Sequence, residues 1–335
     1  MEYRSLGRSG LKVSPLCLGT MMFGAQTDEP TARRIIDTAA TQGVNFIDTA
    51  DVYAAGRSEE VVGRAIADKR DWWILATKAA QPTETGPNGR GTSRRHLQRA
   101  VEASLRRLGT DVIDLLYLHR DDGTTPTSET VRALGDLIRA GKIRYFGVSN
   151  HQAWRIAEIC AVCDAEGIDR PAASQPLYNA LNRQIEVEHL PACAALGLGV
   201  VPYSPLARGI LTGKYTPDAP PPPDTRAGRG DKRILEAEWR PESLRAARAI
   251  AERAATHGVT PGQFAIAWLL TNRLVTAAIA GPRTEAQWQD YVGALGVRLT
   301  QEDEALVDGL VPPGHASSYG HTDPAYPVGG RVTTG

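Results

Sequence analysis

Four titratable side chains of different kinds stand at the ends of short apolar stretches in this chain. Asp48 closes Asn45-Phe46-Ile47-Asp48, and Tyr53 lies five residues further on, in Asp48-Thr49-Ala50-Asp51-Val52-Tyr53. Lys78 follows Trp73-Ile74-Leu75-Ala76-Thr77, and His119 follows Ile113-Asp114-Leu115-Leu116-Tyr117-Leu118. A phenol ionises near pH ~10 and exchanges protons poorly at neutrality unless a cation stabilises its phenolate. Lys78 is the candidate cation, Asp48 the carboxylate that would hold the ammonium, and His119 a hydrogen-bonding group able to fix a substrate oxygen. The chemistry implied is delivery of a proton to a carbonyl oxygen. Singly, each residue has a plainer reading: Asp48 as a turn cap, Lys78 as a surface charge, His119 as a satisfied core histidine. Their common position in a repeated unit makes them a set.

That unit is an amphipathic helix, a glycine and a short apolar strand. Gly43, Gly141, Gly167 and Gly197 sit where left-handed helix C-caps are needed, each just ahead of an apolar run. Over 94–108, Leu97, Val101, Leu105 and Leu108 repeat at the spacing of one helical face. Strands are expected near Leu16, Phe46, Ile74, Leu115, Phe146, Ala173, Val201 and Ala278. Apolar on both faces and alternating with helices, these eight strands predict an α/β fold, a closed (β/α)₈ TIM barrel spanning 1–335 as a single domain. A doubly wound dinucleotide fold would show G-x-G-x-x-G after its first strand, and Leu18-Gly19-Thr20-Met21-Met22-Phe23-Gly24 does not have that spacing. Three segments fall outside the repeat. Residues 3–13 read as an N-terminal β-hairpin closing the barrel bottom, and 206–240, with Pro220 to Pro223, as a long mobile Pro-rich loop after strand seven. The tail, 312–335, reads either as disordered or as folded over the barrel mouth.

Composition narrows the partner. Lys plus Arg and Asp plus Glu both total 38, so nothing favours nucleic acid. The N-terminus lacks an apolar secretory core, and no run approaches the roughly 18 apolar residues of a membrane span. A cytoplasmic protein acting on a small molecule is expected. The four cysteines, Cys17, Cys160, Cys163 and Cys193, are too scattered for a disulfide framework. Cys160 and Cys163 form a C-x-x-C inside a helical stretch, a structural placement. No strand ends in H-x-H, which disfavours a metal-dependent hydrolase, and no metal is expected.

A barrel of this kind places its chemistry at the C-terminal ends of its strands. Those ends are Gly19-Thr20, Asp48, Lys78, His119, Ser149-Asn150, Gln175, Tyr203-Ser204 and Gly281-Pro282-Arg283. From about 3 to 310 the chain resembles the aldo-keto reductases, including their potassium-channel beta-subunit branch. The markers are Leu18-Gly19-Thr20, Asp48-Thr49-Ala50 with Tyr53, Ala76-Thr77-Lys78, Leu116-Tyr117-Leu118-His119, Gly147-Val148-Ser149-Asn150, Tyr203-Ser204-Pro205-Leu206-Ala207 with Leu211-Thr212-Gly213-Lys214-Tyr215, and Gly281-Pro282-Arg283-Thr284 with Gln287.

The resemblance implies reversible NADPH-dependent reduction of an aldehyde or ketone to an alcohol, with hydride from the nicotinamide and the proton from Tyr53. It implies a catalytic set of Tyr53, Lys78, Asp48 and His119. Gly19, Thr20, Met21 and Asp48 would lie beside the cofactor. Ser149, Asn150 and Gln175 would take its carboxamide, and Tyr203 would stack on the nicotinamide. Ser204, Pro205, Leu206, Gly209 and Lys214 would form the pyrophosphate loop, with Arg226 a further basic contact. Gly281, Arg283, Gln287 and Asp290 would hold the adenosine-phosphate end. Arg283 favours NADPH over NADH, because a guanidinium grips a 2′-phosphate bidentately. Tyr291 departs from the asparagine of many relatives and implies a stacked adenine. Met22, Phe23, Asp51, Val52 and Arg120 are expected to line the substrate pocket. Family members that bind potassium channels make a nicotinamide-sensing accessory subunit the alternative. Those relatives often have asparagine at the position of His119, so His119 favours the enzyme.

Overall fold

In the computed structural model, which describes residues 1–326, eight parallel strands run in the order β10-β3-β4-β5-β6-β7-β8-β9. They are β3 (Leu16–Gly19), β4 (Phe46–Asp48), β5 (Ile74–Ala79), β6 (Ile113–Leu118), β7 (Ile143–Ser149), β8 (Ala173–Gln175), β9 (Gly199–Val200) and β10 (Ala278–Ala280). Backbone hydrogen bonds from Thr276 to Val200 (2.8 Å) and from Ile279 to Pro202 (2.9 Å) join the two ends of the order. The fold is a (β/α)₈ TIM barrel, as expected. Every residue of β6 is buried, as a parallel sheet covered by helices requires. Leu6, Cys17, Phe46, Leu115, Tyr117, Val201 and Ile279 belong to one buried core cluster.

Each expected strand is present, with small shifts at the ends. The seventh, expected near Val201, is confined to Gly199–Val200, because Pro202 has no N–H to continue the ladder. Pairing resumes only as an isolated bridge between Leu177 and Tyr203.

Two compact units make up the chain. The first comprises Met1–Leu177, Glu188–Tyr203 and Asn272–Val292 and contains the whole barrel sheet. Its helices include α1 (Glu29–Thr41), α2 (Arg57–Ile66), α3 (Arg94–Leu108), α4 (Thr127–Arg139), α5 (Ala153–Glu166) and α6 (His189–Leu196). Helix α3 starts on a Ser93 cap, buries the expected Leu97, Val101, Leu105 and Leu108, and ends on left-handed Gly109. Gly167 and Gly197 end α5 and α6 in the same way. Cys160 and Cys163 lie within α5, and all four cysteines are free and buried.

The N-terminal hairpin pairs β1 (Arg4–Ser5) with β2 (Lys12–Val13) antiparallel. Its turn enters the barrel from the N-terminal ends of the strands. Gly7 has φ +57°, and a Cβ there would lie 2.6 Å from the Ala172 and Gly197 carbonyls and from the Gly199 nitrogen, so only glycine fits.

The second unit comprises Tyr178–Val187, Ser204–Thr271 and the chain from Gly293 onward. It holds α7 (Lys232–Ala237), α8 (Pro241–Thr256), α9 (Pro261–Thr271) and α11 (Gln301–Leu310); α10 (Glu285–Gly293) belongs to the first unit except for its last residue. Segment 206–240 is more ordered than a plain loop, with a 3-10 turn over Ala207–Thr212 and then α7, which Asp231 caps. Arg183 is buried in this unit. Its Nε donates to Glu186 Oε1 (2.9 Å), and its Nη1 donates to Asp308 Oδ1 (2.6 Å) and the Val311 carbonyl (3.0 Å).

The described part of the tail is tied down within this unit. Ser317 N–H donates to the Leu181 carbonyl at 2.9 Å, and Arg233 grips Asp323 bidentately at 2.9 and 2.6 Å. Residues 327–335 of the expected tail lie outside the described residues. Among the described residues, no helix is long and apolar enough to cross a membrane.

Candidate active site

Parallel pairing sets the site. Asp48 is the last residue of β4, Lys78 stands near the end of β5 and His119 directly follows β6, so three adjacent strands deliver them to one rim. Lys78 is fully buried, and its ammonium donates to Asp48 Oδ1, to the Thr49 carbonyl (2.7 Å) and to the Tyr53 hydroxyl (3.1 Å). Those three bonds use all of its donors. Asp48 receives a second bond from Gln175 Nε2 at 2.9 Å, from across the barrel. The Tyr53 ring meets that of His119 edge-on, with centroids 6.1 Å apart. The four residues singled out from the sequence therefore converge.

Electrostatics assigns each a state. Burial would lower the Lys78 pKa, but the Asp48 carboxylate and the Tyr53 hydroxyl outweigh it, and the ammonium is held above its ordinary value. Burial raises Asp48, with Lys78 and Gln175 opposing the rise. Tyr53 is also raised: burial dominates, Lys78 pulls it down, and Asp48 and Asp51 push it up. Lys78 is thus close enough to favour a phenolate, yet the resting group is a phenol charged with its proton. His119 is pushed down to about 3 by burial, then by Lys78 and Arg120, so it is a neutral imidazole, and its buried Nδ1 has no hydrogen-bond partner among the described residues.

The turn carrying Tyr53 has an unusual backbone. Ala54, Ala55 and Gly56 are all left-handed, with φ of 50°, 57° and 91°. At Gly56 a Cβ would lie 2.9 Å from Arg107 Cδ, so the Arg107 side chain passes against this residue. Arg107 Nε then donates to Glu59 Oε2 (2.7 Å), and Thr77 Oγ1 donates to Glu59 Oε1 (2.5 Å). Glu59 is wholly buried. The sequence reading passed over this Glu59-Arg107-Thr77 network, although a signal was present: Glu59 shares a helical face with Val62 and Ile66, where an apolar residue belongs. Thr20, Ser58 and Thr49 form a second buried network, with Thr20 Oγ1 and Thr49 Oγ1 each 3.0 Å from Ser58 Oγ.

The remaining expected residues are distributed as follows. Ser149 ends β7 and Gln175 ends β8, and Ser149 Oγ donates to the Gln175 carbonyl at 2.8 Å. Asn150, at φ +57°, donates to the His119 carbonyl and to Ser149 Oγ, both at 3.0 Å, and accepts from the Tyr203 hydroxyl at 2.9 Å. Tyr203 is thereby anchored as a half-exposed ring. Arg283 N–H donates to Gln287 Oε1 at 2.7 Å, and Thr27 Oγ1 donates to the Arg283 carbonyl at 3.0 Å. Gly281 is exposed, Asp290 half-buried and Tyr291 buried, its phenol pushed up to about 12 by burial and then by Asp290. Gly19 is buried and Met21 exposed. Of the residues expected to line a substrate pocket, Arg120 is exposed, Met22 and Val52 are half-buried, and Phe23 and Asp51 are buried.

In the second unit, Ser204, Ala207, Arg208 and Gly209 all have positive φ, from 46° to 102°. Pro205 and Leu206 are buried beneath this turn. A Cβ on Gly209 would lie 2.8 Å from Lys214 Nζ, so the glycine leaves a space edged by a cation. Arg208 Nε is buried without a hydrogen-bond partner among the described residues. A turn of successive left-handed residues beside basic groups fits a phosphate. Arg226 is less available: its Nε lies 2.9 Å from Asp231 Oδ2.

The model of the aldo/keto reductase family matches residues 15–312 of this chain. The chain belongs to that family. This aldo/keto reductase is 39% identical, over 302 residues covering 89% of it and 92% of the relative, to a probable voltage-gated potassium channel subunit beta of Arabidopsis thaliana. It is 37% identical over 318 residues to a protein of the same description from Oryza sativa subsp. japonica, covering 93% and 97% of the two chains. It is also 38% identical over 338 aligned residues to the uncharacterized oxidoreductase YrpG of Bacillus subtilis (strain 168), covering 97% and 99%.

Proposed function

We propose that this aldo/keto reductase is an NADP(H)-dependent carbonyl reductase that converts an aldehyde or ketone to an alcohol, reversibly, with Tyr53 as proton donor. The observation that carries the reading is the Lys78 ammonium, which binds Asp48 and the Tyr53 hydroxyl together. A bound NADPH would supply the hydride. The chain's own part is the proton. A substrate carbonyl oxygen set between the Tyr53 hydroxyl and the neutral His119 imidazole would accept a hydrogen bond from a ring N–H of His119. As negative charge develops on that oxygen, Tyr53 gives up its proton and becomes a phenolate facing the Lys78 ammonium, and solvent restores the proton. In alcohol oxidation the same phenolate accepts the proton.

Residues of the barrel unit suit the ends of such a cofactor. The anchored Tyr203 ring is a stacking platform, Ser149 and Gln175 border it, and Arg283 supplies a guanidinium for a 2′-phosphate, which supports NADPH over NADH. In the second unit the turn at Ser204 to Gly209 with Lys214 is, by its own chemistry, a phosphate site. A cytoplasmic setting agrees with this use of NADPH.

The plant relatives are named as probable channel beta subunits, which supports a second reading, an accessory subunit, and cofactor binding with slow turnover would mark that role in this chain. Loss of NADPH absorbance with a panel of aldehydes and ketones separates the two. Saturable turnover that falls by about 10²-fold or more in Tyr53→Phe, with NADPH binding retained, supports the reductase. Tight binding without turnover supports the accessory subunit, and undiminished turnover in Tyr53→Phe overturns the assigned proton donor.

A further inference from the structure

We infer that Asp51 is an uncharged carboxylic acid at neutral pH, and that its retained proton keeps Tyr53 a competent acid. This makes Asp51 a positioning residue, and the inference rests on reading Tyr53 as the proton donor. Asp51 is only 3% exposed, and both of its carboxyl oxygens are buried without a hydrogen-bond partner among the described residues. The Val52 N–H is near enough to favour the ionised form but does not make a bond of acceptable geometry.

The surrounding charges are otherwise committed. Asp48, Asp51 and Glu59 face Lys78 and Arg107, which makes three buried acids against two cations. The Lys78 donors go to Asp48, the Thr49 carbonyl and Tyr53. Arg107 turns its Nε to Glu59 and its Nη2 to Ser104. Each cation is already paired with another acid, so an ionised Asp51 would have no hydrogen-bonded counter-charge of its own among the described residues, and the proton stays on this acid. Burial raises Asp51 to about 8, Glu59 adds to the rise, and Arg107, the Val52 N–H and Lys78 only partly offset it.

The backbone that carries Asp51 is tied to the neighbouring strand end and its own turn. Its N–H donates to the Lys78 carbonyl at 3.2 Å, and Tyr53 N–H donates to the Ala50 carbonyl at 3.1 Å. The left-handed run at Ala54, Ala55 and Gly56 then lies against Arg107. The consequence reaches Tyr53 through space, since charge on Asp51 raises the Tyr53 pKa. When Asp51 loses its proton to solvent, Tyr53 becomes a weaker acid for carbonyl reduction. In alcohol oxidation it becomes a base available only at higher pH.

Two measurements on the cofactor-free protein test this. With aspartate carboxyls labelled with carbon-13, wild-type protein is expected to show one resonance titrating near pH 8, absent from Asp51→Asn. If none titrates there, or if that resonance persists in Asp51→Asn, the inference is overturned. Should Asp51→Asn fail to fold, presence or absence of the wild-type resonance decides. The second measurement is the ultraviolet phenolate titration of Tyr53, obtained by subtracting Tyr53→Phe. Its midpoint is expected to fall in the Asp51→Asn background, and an unchanged midpoint overturns the coupling. Neither readout depends on turnover, so each can fail while the reductase reading stands, and the Tyr53→Phe turnover assay can fail while both succeed.

Discussion

Lys78 Nζ donates to the Tyr53 hydroxyl at 3.1 Å while the same ammonium is paired with Asp48, so the group that would stabilise a phenolate is itself held by a buried carboxylate. Removing one member of a buried pair leaves the other uncompensated. Lys78→Met is therefore expected to lower stability to urea by about 3–5 kcal/mol. Lys78→Met with Asp48→Asn should recover part of that loss, because the asparagine carries no charge to strand. Equal unfolding midpoints for the single and double variants would refute the account.

His119 follows the opposite logic. Its pKa is depressed to about 3, so between that value and the ordinary ~6.5 the unfolded chain binds a proton that the folded chain does not. Its contribution to stability is complete above the ordinary value and is lost as pH falls toward about 3. Histidine NMR should find the His119 resonances unchanging from neutrality down to about pH 4. A His119 midpoint in the usual histidine range would show that the imidazole is not buried neutral.

The barrel could be read from sequence because its signals are local. The stripe at Leu97, Val101, Leu105 and Leu108 and the capping glycines belong to single helices, and the polar strand ends follow from chain order. The Asp48, Tyr53, Lys78 and His119 set was accessible for the same reason: Asp48, Lys78 and His119 stand at or near the ends of three adjacent strands, Tyr53 follows the first of them by five residues, and parallel pairing brings those ends together. What stayed hidden depends on partners distant in sequence. Arg107 reaches Glu59 across 48 residues, and Gln175 reaches Asp48 across 127. The burial of Asp51 was equally hidden, and no local pattern announces the three consecutive left-handed residues at Ala54 to Gly56.

At the opposite end of the barrel, Gly7→Ala tests stability without touching the rim. The new methyl would meet three backbone atoms at 2.6 Å in a left-handed conformation. Backbone cannot yield as a side-chain end does, so a loss of at least about 2 kcal/mol is expected, read as a lower melting temperature. KM for any carbonyl substrate should be unchanged in the folded fraction, since chemistry sits at the other rim. A melting temperature equal to wild type would contradict the close approach.

Arg183 offers the corresponding test in the second unit. It is 4% exposed, bonds Glu186, Asp308 and the Val311 carbonyl, and lies 5.2 Å from the centre of the Trp268 ring. Arg183→Lys keeps the charge but loses the planar fork that reaches three acceptors, and is expected to lower stability by about 2 kcal/mol. Arg183→Met, which strands the Glu186 carboxylate, should lower it by more. Chemical denaturation of both variants decides the point: if the lysine variant matches wild type, charge alone holds this unit together and the fork geometry is irrelevant.

Asp51 gives a stability prediction opposite in sign to that of His119. Its folded pKa, about 8, lies above the ordinary carboxyl value of 3.8, so between the two the folded chain holds a proton that the unfolded chain releases. Stability therefore falls as pH rises through that window, and the full penalty is present above about pH 8. Asp51→Asn has no proton to hold and is expected to melt higher than wild type at and above neutrality, by an amount on the order of a few kcal/mol. The two proteins should converge below the ordinary carboxyl range, where wild-type Asp51 is protonated in both states. Thermal unfolding of wild type and Asp51→Asn across pH checks both limbs, and a constant difference from acid to alkaline pH would mean that the asparagine changes packing rather than charge.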